Sequence, residues 1–190
     1  MPAYQRFVGG RLLLPAFCWW LDWDRATDLM DRQANRLAGL AAGQGEERLT
    51  RRVLTRPQIG LEDSSRRHSY AMVLEHLTIV GERVASIVVD LANGIGPTEA
   101  LRTADLKPLG RMTADRSMAE YRAMLERFRH RVTHDARDRA SSLRFEHPWF
   151  GPLDAYRWLC FAPFHQAIHL KQARRILRGL GDQGSAPPEA

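Results

Sequence analysis

Apolar residues recur at spacings of three and four along most of this chain, which is the pattern of amphipathic helices. We expect a first helix over Asp24–Leu40 and a second from the Ser64-Ser65 pair to Leu91. A third should start at Ser117, where a Ser-x-x-Glu capping box precedes an apolar stripe, and the last should follow the turn after His147 and end at Leu180. No stretch alternates long enough to predict a sheet. The expected fold is therefore all-α, a four-helix bundle.

The segments between these helices are rich in turn-forming residues. Residues 44–62 are polar and contain Arg56-Pro57, and residues 93–116 carry three glycines and two prolines, so we read the second segment as a long crossover with a short helical turn around Pro97–Thr103. The Gly-, Pro- and Ala-rich residues 181–190 are expected to be a disordered tail. The length favours a single domain over residues 1–180.

Two histidines, His165 and His169, stand four residues apart on the last helix. At ~100° per residue they lie ~40° apart and one turn along, so both imidazoles can reach one point. They fall on the apolar face of the helix, opposite its arginines, where burying two imidazoles without partners is costly. The pair is therefore either a metal site or a set of satisfied core residues.

Other polar residues near this face extend the hypothesis. His76 lies on the flank of the second helix's apolar stripe, where it is placed to act as a third ligand, whereas the neighbouring Glu75 should point away. Gln172 lies one turn beyond His169 and either orients an imidazole by a hydrogen bond or only fills the interior. His130 and His134 have the same spacing, but they lie among arginines opposite the apolar face, so we expect them to be exposed.

Composition excludes several classes of protein. The 190 residues are 44% hydrophobic and 26% charged, as in an ordinary soluble protein. The net charge of +6 comes almost wholly from arginine, and no basic run interleaved with aromatics indicates nucleic-acid binding. Cys18 and Cys160 lie in apolar, aromatic surroundings, which is typical of buried thiols in a reducing compartment.

The apolar run Leu12–Leu21 follows two arginines, as in a secretory signal. It contains Pro15, has no small-residue cleavage site after it and is too short to span a bilayer, so we expect a cytoplasmic protein. The aromatic residues in and just after this run are expected to pack within the fold, cover one end of the bundle or form a subunit contact. They are Phe17, Trp19, Trp20 and Trp23.

Three motifs together resemble the DinB/YfiT-like superfamily of small bacterial metal-binding bundles. They are VLEHL on the second helix, His147-Pro-Trp-Phe-Gly151, and the HxxxHxxQ pattern of His165, His169 and Gln172. The resemblance covers nearly the whole chain in element order. It implies a divalent metal held by His76, His165 and His169, and relatives that often form homodimers.

The resemblance also implies a class of chemistry. Three neutral imidazoles suit zinc or nickel best, with iron or manganese as further candidates, and they leave an open coordination position of the catalytic kind. Relatives of known activity are thiol-dependent S-transferases, so we expect a metal-dependent transferase or hydrolase acting on a small molecule, with a low-molecular-weight thiol as cosubstrate. The alternative is a non-catalytic, metal-binding stress or interaction protein. Arg157, Ile168 and Pro163 depart from the family pattern, so substrate preference does not transfer.

Overall fold

The computed structural model describes residues 12–96 and 101–183. Its helices are α1 Leu14–Trp19, α2 Trp23–Ala41, α3 Glu46–Thr50, α4 Tyr70–Ala92, α5 Ala114–His130 and α6 Ala155–Gln183. Its strands are β1 Arg144–His147 and β2 Gly151–Asp154, and its shorter turns are the 3-10 segments Asp63–Arg67 and Thr103–Leu106 and the π-turn Arg131–Asp135. The chain is thus mostly helical, which agrees with the all-α expectation apart from one small hairpin.

Four long helices, α2, α4, α5 and α6, form the bundle. Helix α6 packs along both α2 and α4, α4 packs along α5, and α5 closes the ring against α2. Because α5 and α6 lie across the bundle from each other, as do α2 and α4, the chain needs long connections between them. Those connections supply several of the side chains that surround the candidate site.

The apolar faces expected from helical spacing are the faces that the bundle buries. Every position of the predicted α4 stripe is buried, and the same holds for the predicted inner faces of α5 and α6. In α4 the stripe is Val73, Leu77, Val80, Val84, Val88 and Leu91, and in α5 and the π-turn after it the stripe is Tyr121, Leu125, Phe128 and Val132. Burying such stripes is what makes a bundle of helices stable in water.

Two helix starts differ from the prediction. Helix α4 begins at Tyr70, because the hydroxyl of Ser69 accepts from the Met72 N–H, whereas Ser64 and Ser65 lie in the preceding 3-10 turn. Helix α5 begins at Ala114, with Thr113 as the cap. Ser117 is therefore not a cap, and it is fully buried inside the helix.

The hairpin β1–β2 was not predicted. Each strand has four residues, too few for an alternating pattern to be visible in the sequence. Its turn is closed by His147, whose Nδ1 accepts from the backbone N–H groups of Trp149 and Phe150, and Gly151 has a positive φ of 73°. Asp154 then caps α6 by accepting from the Arg157 N–H at 2.9 Å.

The aromatic cluster near the start of the described chain is only partly packed. Trp23 is buried and donates from its indole to the Val132 carbonyl at 2.9 Å. Trp19 and Trp20 are 85% and 76% exposed, so packing within the chain was the wrong expectation for these two. Among the described residues, no helix is both long and apolar enough to cross a membrane.

Some expectations fall outside the described residues. The turn expected around Pro97–Thr103 lies partly in residues 97–100, which are not described, and the short helix that follows starts at Thr103. Helix α6 continues to Gln183, three residues beyond its expected end, and residues 184–190 of the expected tail are not described.

Candidate metal centre

Three histidine side chains converge between α4 and α6. Nε2 of His165 lies 3.0 Å from Nε2 of His169 and 3.3 Å from Nε2 of His76. One nitrogen from each of the three rings lies within 4.8 Å of the others. The three predicted ligands are therefore brought together, and the i, i+4 spacing on α6 places two of them one turn apart on the buried face.

The protonation of His169 follows from Gln172. The amide Nε2 of Gln172 donates to the Ser65 carbonyl at 2.7 Å, so the amide oxygen must face the other way, toward His169. That oxygen lies 2.7 Å from Nδ1 of His169, which must carry the ring proton to make the bond. Nε2 of a neutral His169 consequently carries a lone pair, which is directed at the other two rings.

The same reasoning applies to His76. Its Nδ1 lies 2.7 Å from the Leu106 carbonyl, and since a carbonyl oxygen only accepts, Nδ1 carries the proton. Nε2 of His76 then also carries a lone pair that faces the cluster. The carbonyl belongs to the crossover between α4 and α5, so a segment without long regular structure sets the orientation of this ring.

The cluster has too few protons for the nitrogens it brings together. Neutral His165 offers at most one proton at Nε2, which faces the lone pairs of His76 and His169 at 3.3 and 3.0 Å. At least one close nitrogen pair is therefore left without a full hydrogen bond. A divalent metal is typically bound by imidazole lone pairs that meet at one point, with the other ring nitrogen donating to an acceptor. The three histidines therefore fit such an ion.

Burial keeps the rings ready to ligate. It lowers the pKa of His76, and it lowers the pKa of His165 and His169 well below the usual histidine range, with neighbouring imidazoles lowering the last two further. The hydrogen bond to Leu106 and the hydrogen bond to Gln172 oppose this effect at His76 and His169, respectively. Since a metal binds the neutral ring, no proton has to be displaced near neutral pH.

A cavity of about 290 Å³ reaches the cluster, and all three histidines line it. Its inner end is apolar and aromatic, with Trp158 and Phe161 among the lining residues. In the part of the chain that the structure describes, no further His, Cys, Asp or Glu joins the three-histidine group. A metal held by these rings would thus keep a coordination position that faces open space.

Three other polar residues singled out in the sequence lie away from the cluster. His130 and His134 are both exposed at the end of α5, as expected. Glu75 is directed away from the histidines, as the helical wheel indicated, but it is only 4% exposed. It accepts from the backbone N–H groups of Gly110 at 2.9 Å and Met112 at 3.3 Å, and so ties the crossover to α4.

Two further histidines of the cavity wall were missed as site residues. His68 is buried, and its Nδ1 has no hydrogen-bond partner in the part of the chain that the structure describes. Burial, His76 and Arg52 lower its pKa to about 4. His147 lines the same cavity, and burial lowers its pKa to about 3. A histidine after two arginines in a polar connection carries no periodic signal, so only the folded arrangement reveals His68.

No protein-family model matches the chain, and no curated protein matches it in sequence. Among solved structures, the chain is similar to TT2238, a four-helix bundle protein, with a TM-score of 0.52 and 23% sequence identity. The alignment covers 80% of this chain and 98% of TT2238. At that identity the likeness shows the fold alone, and it supports a four-helix bundle.

Proposed function

We propose that this chain is a divalent-metal-dependent enzyme of the DinB/YfiT-like superfamily, with His76, His165 and His169 as the metal ligands. The proposed activity is that of a transferase using a low-molecular-weight thiol, or of a hydrolase. The observation that carries the proposal is the convergence of three Nε2 atoms. In His76 and His169 the hydrogen bond at Nδ1 places the ring proton there and leaves Nε2 with a free lone pair. The helical-bundle fold and the sequence motifs support the superfamily.

The chain's own residues account for most of the expected site. Leu106 and Gln172 hold two of the rings, and the α6 backbone holds His165 and His169 in register. A divalent ion on three neutral imidazoles supplies Lewis acidity at an open position, which lowers the pKa of a water or a thiol. Phe161, whose ring centroid lies 5.2 Å from that of His165, makes the cavity wall beside the cluster aromatic.

The donor set also bears on which metal is bound. Imidazole suits zinc, nickel, copper and iron, whereas carboxylate-rich sites suit magnesium and manganese. Zinc or nickel is therefore the first choice, and iron or manganese the second. A purely structural ion is the alternative function, but structural zinc sites close with four protein ligands, and the cavity next to the cluster favours catalysis.

The test is metal content by mass spectrometry on untagged protein. We expect about one transition-metal ion per chain, lost in His165→Ala/His169→Ala. The matched control is His130→Ala/His134→Ala, which removes a second i, i+4 pair from an exposed surface and should leave the metal bound. Wild-type protein that is empty and does not take up zinc, nickel, iron or manganese would make the histidines core residues and end the metalloenzyme proposal.

A further inference from the structure

We propose that the cavity beside the histidines binds an amphipathic anion: a small molecule with an apolar body and a carboxylate or phosphate group. This inference rests on the proposed function, because it names the substrate class of the same site. It is carried by the distribution of charge and burial around the cavity wall, which is independent of the metal ligands.

Four cationic side chains line the cavity, together with a single carboxylate. The cations are Arg52, Arg67, Arg83 and Lys107, and the carboxylate is Glu62. They come from four separate segments: the connection after α3, the 3-10 turn before α4, α4 itself and the crossover before α5. A charged face of one helix is commonly just a solvated surface, whereas convergence from four segments requires the tertiary fold.

Within the described ranges, these four cations take no part in the ion pairs of the protein. Across residues 12–96 and 101–183, none of them forms an ion pair, although nine pairs involving other residues are present. Glu62 accepts a hydrogen bond from the Ser64 hydroxyl instead. Several unpaired cations around one concave site attract an anion and orient its charged end.

The arrangement has a polar end and an apolar end. Arg52, Arg67 and Lys107 are exposed and Arg83 is half-buried, so the positive charge lies at the solvent side. Most of the other side chains that line the cavity are apolar, and they include Met72, Val80, Val84, Leu106, Pro108 and Trp149. A ligand that fills this space would place an apolar body against the walls and its anionic group among the cations.

Two details indicate that the site is organised before a ligand arrives. Gly110 has a φ of 68°, and a Cβ at this position would come within 2.9 Å of an Arg52 guanidinium nitrogen, so the glycine lets Arg52 lie against the crossover. The buried Nδ1 of His68 has no hydrogen-bond partner among the described residues, although His68 lines the cavity. A buried polar atom left unpaired in a cavity wall is a hydrogen-bonding point for a ligand.

The test is isothermal titration calorimetry with three matched probes: 4-phenylbutyrate, its uncharged amide 4-phenylbutanamide, and 3-phenylpropyl phosphate. In metal-free wild-type protein, we expect at least one anion to bind about tenfold or more tightly than the amide, with the preference decreasing as salt is added. The anion that binds more tightly identifies the charged group. Equal binding of the amide and both anions would overturn the inference.

Two double variants distinguish an effect of the cavity cations from an effect of the net charge of the protein. Arg83→Gln/Lys107→Gln should bring the anion-to-amide preference close to one, whereas Arg32→Gln/Arg36→Gln, which removes two exposed charges from α2, should retain it. Circular dichroism establishes that both double variants are folded. A preference that survives in the first variant, or that falls equally in both, would show that these cations do not select the ligand.

Repeating the titrations with zinc-loaded protein distinguishes failure of the metalloenzyme proposal from failure of the anion-site proposal. If zinc does not bind but the metal-free protein prefers anions through Arg83 and Lys107, the metalloenzyme proposal fails and the anion site stands. If an anion preference appears only with zinc and is unaffected by Arg83→Gln/Lys107→Gln, the metal itself recognises the anion and the present inference is wrong.

Discussion

The side-chain oxygen of Gln172 lies 2.7 Å from Nδ1 of His169, and its side-chain nitrogen lies 2.7 Å from the carbonyl of Ser65. The amide is thus held at both ends, and reversing it would set two acceptors against each other and two donors against each other. The sequence left open whether Gln172 orients an imidazole or fills the interior. The contacts assign it to His169, with the amide oxygen as the acceptor.

Replacing Gln172 should therefore weaken metal binding more than it weakens the fold. In Gln172→Leu, His169 loses the acceptor that fixes its tautomer, and we expect zinc affinity to fall by about 10- to 100-fold in competition with a chelator. Gln166→Leu is the control: Gln166 is a buried amide on the same helix, but it donates to the Met30 carbonyl. Equal losses of zinc affinity in the two variants would contradict the assignment.

The buried carboxyl group of Glu75 should contribute more to the free energy of unfolding than that of Glu82 on the same helix. Glu75→Ala removes the acceptor of the Gly110 and Met112 N–H groups, and we expect the free energy of unfolding to fall by about 1–3 kcal/mol. Glu82 pairs with Arg127 at the surface, so Glu82→Ala should cost about 0–1 kcal/mol.

Urea unfolding at pH 7 measures both effects. Because Glu75 holds the crossover that also carries the Leu106 carbonyl, Glu75→Ala should reduce zinc affinity as well, whereas Glu82→Ala should not. Unchanged zinc affinity in a folded Glu75→Ala variant would show that Leu106 stays in place without this anchor.

Acid should destabilise the metal-free protein through its buried histidines. The pKa of His147 is about 3 in the folded chain against an ordinary 6.5, so between these values the unfolded chain binds more protons. Stability is therefore complete above pH 6.5 and is lost as pH falls toward 3, by up to ~1.4 kcal/mol per pH unit for one such residue.

The contribution of His147 can be isolated with His147→Asn. The Asn side-chain oxygen can still accept from the turn N–H groups, but it does not titrate in this range. Urea unfolding at pH 6, 5 and 4 should show a shallower loss of stability in the variant than in the wild type. Parallel curves would mean that protonation of His147 is not coupled to unfolding.

Two helical glycines should respond oppositely to alanine. A Cβ on Gly81 in α4 would overlap Sδ and Cε of the buried Met124, so Gly81→Ala should lower the free energy of unfolding by about 1–2 kcal/mol. A Cβ on Gly39 in α2 meets nothing within 4 Å, so Gly39→Ala should raise it by about 0.5–1 kcal/mol. Thermal unfolding of both variants checks the signs, and stabilisation by Gly81→Ala would show that Met124 moves aside freely.

What could be predicted from the sequence was governed by periodicity. The helical faces of α4, α5 and α6 and the meeting of the three histidines follow from apolar spacing, because a bundle buries each stripe against its neighbours. Helix starts were less predictable, because several residues compete for the cap. Ser64, Ser65 and Ser69 are all residues of a type that can cap a helix. Of the three, only Ser69 accepts a hydrogen bond from a helical N–H, that of Met72.

Features that depend on distant partners could not be read from spacing. The burial of Glu75 requires the N–H groups of Gly110 and Met112, some 35 residues away along the chain. The position of His68 on the cavity wall and the convergence of four cations likewise arise from how the connections fold back over α4. None of these contacts has a period, so they appear only in the assembled fold.

The predominance of arginine over lysine has a practical consequence for studying the cavity. The chain contains two lysines, Lys107 in the cavity wall and Lys171 on the exposed side of α6. Substituting Lys171→Arg leaves one ε-amine in the chain, and it lies at the entrance to the histidine cluster. An amine-reactive label on that side chain would mark the cavity wall and remove one of its four cations in a single step, without any engineered cysteine.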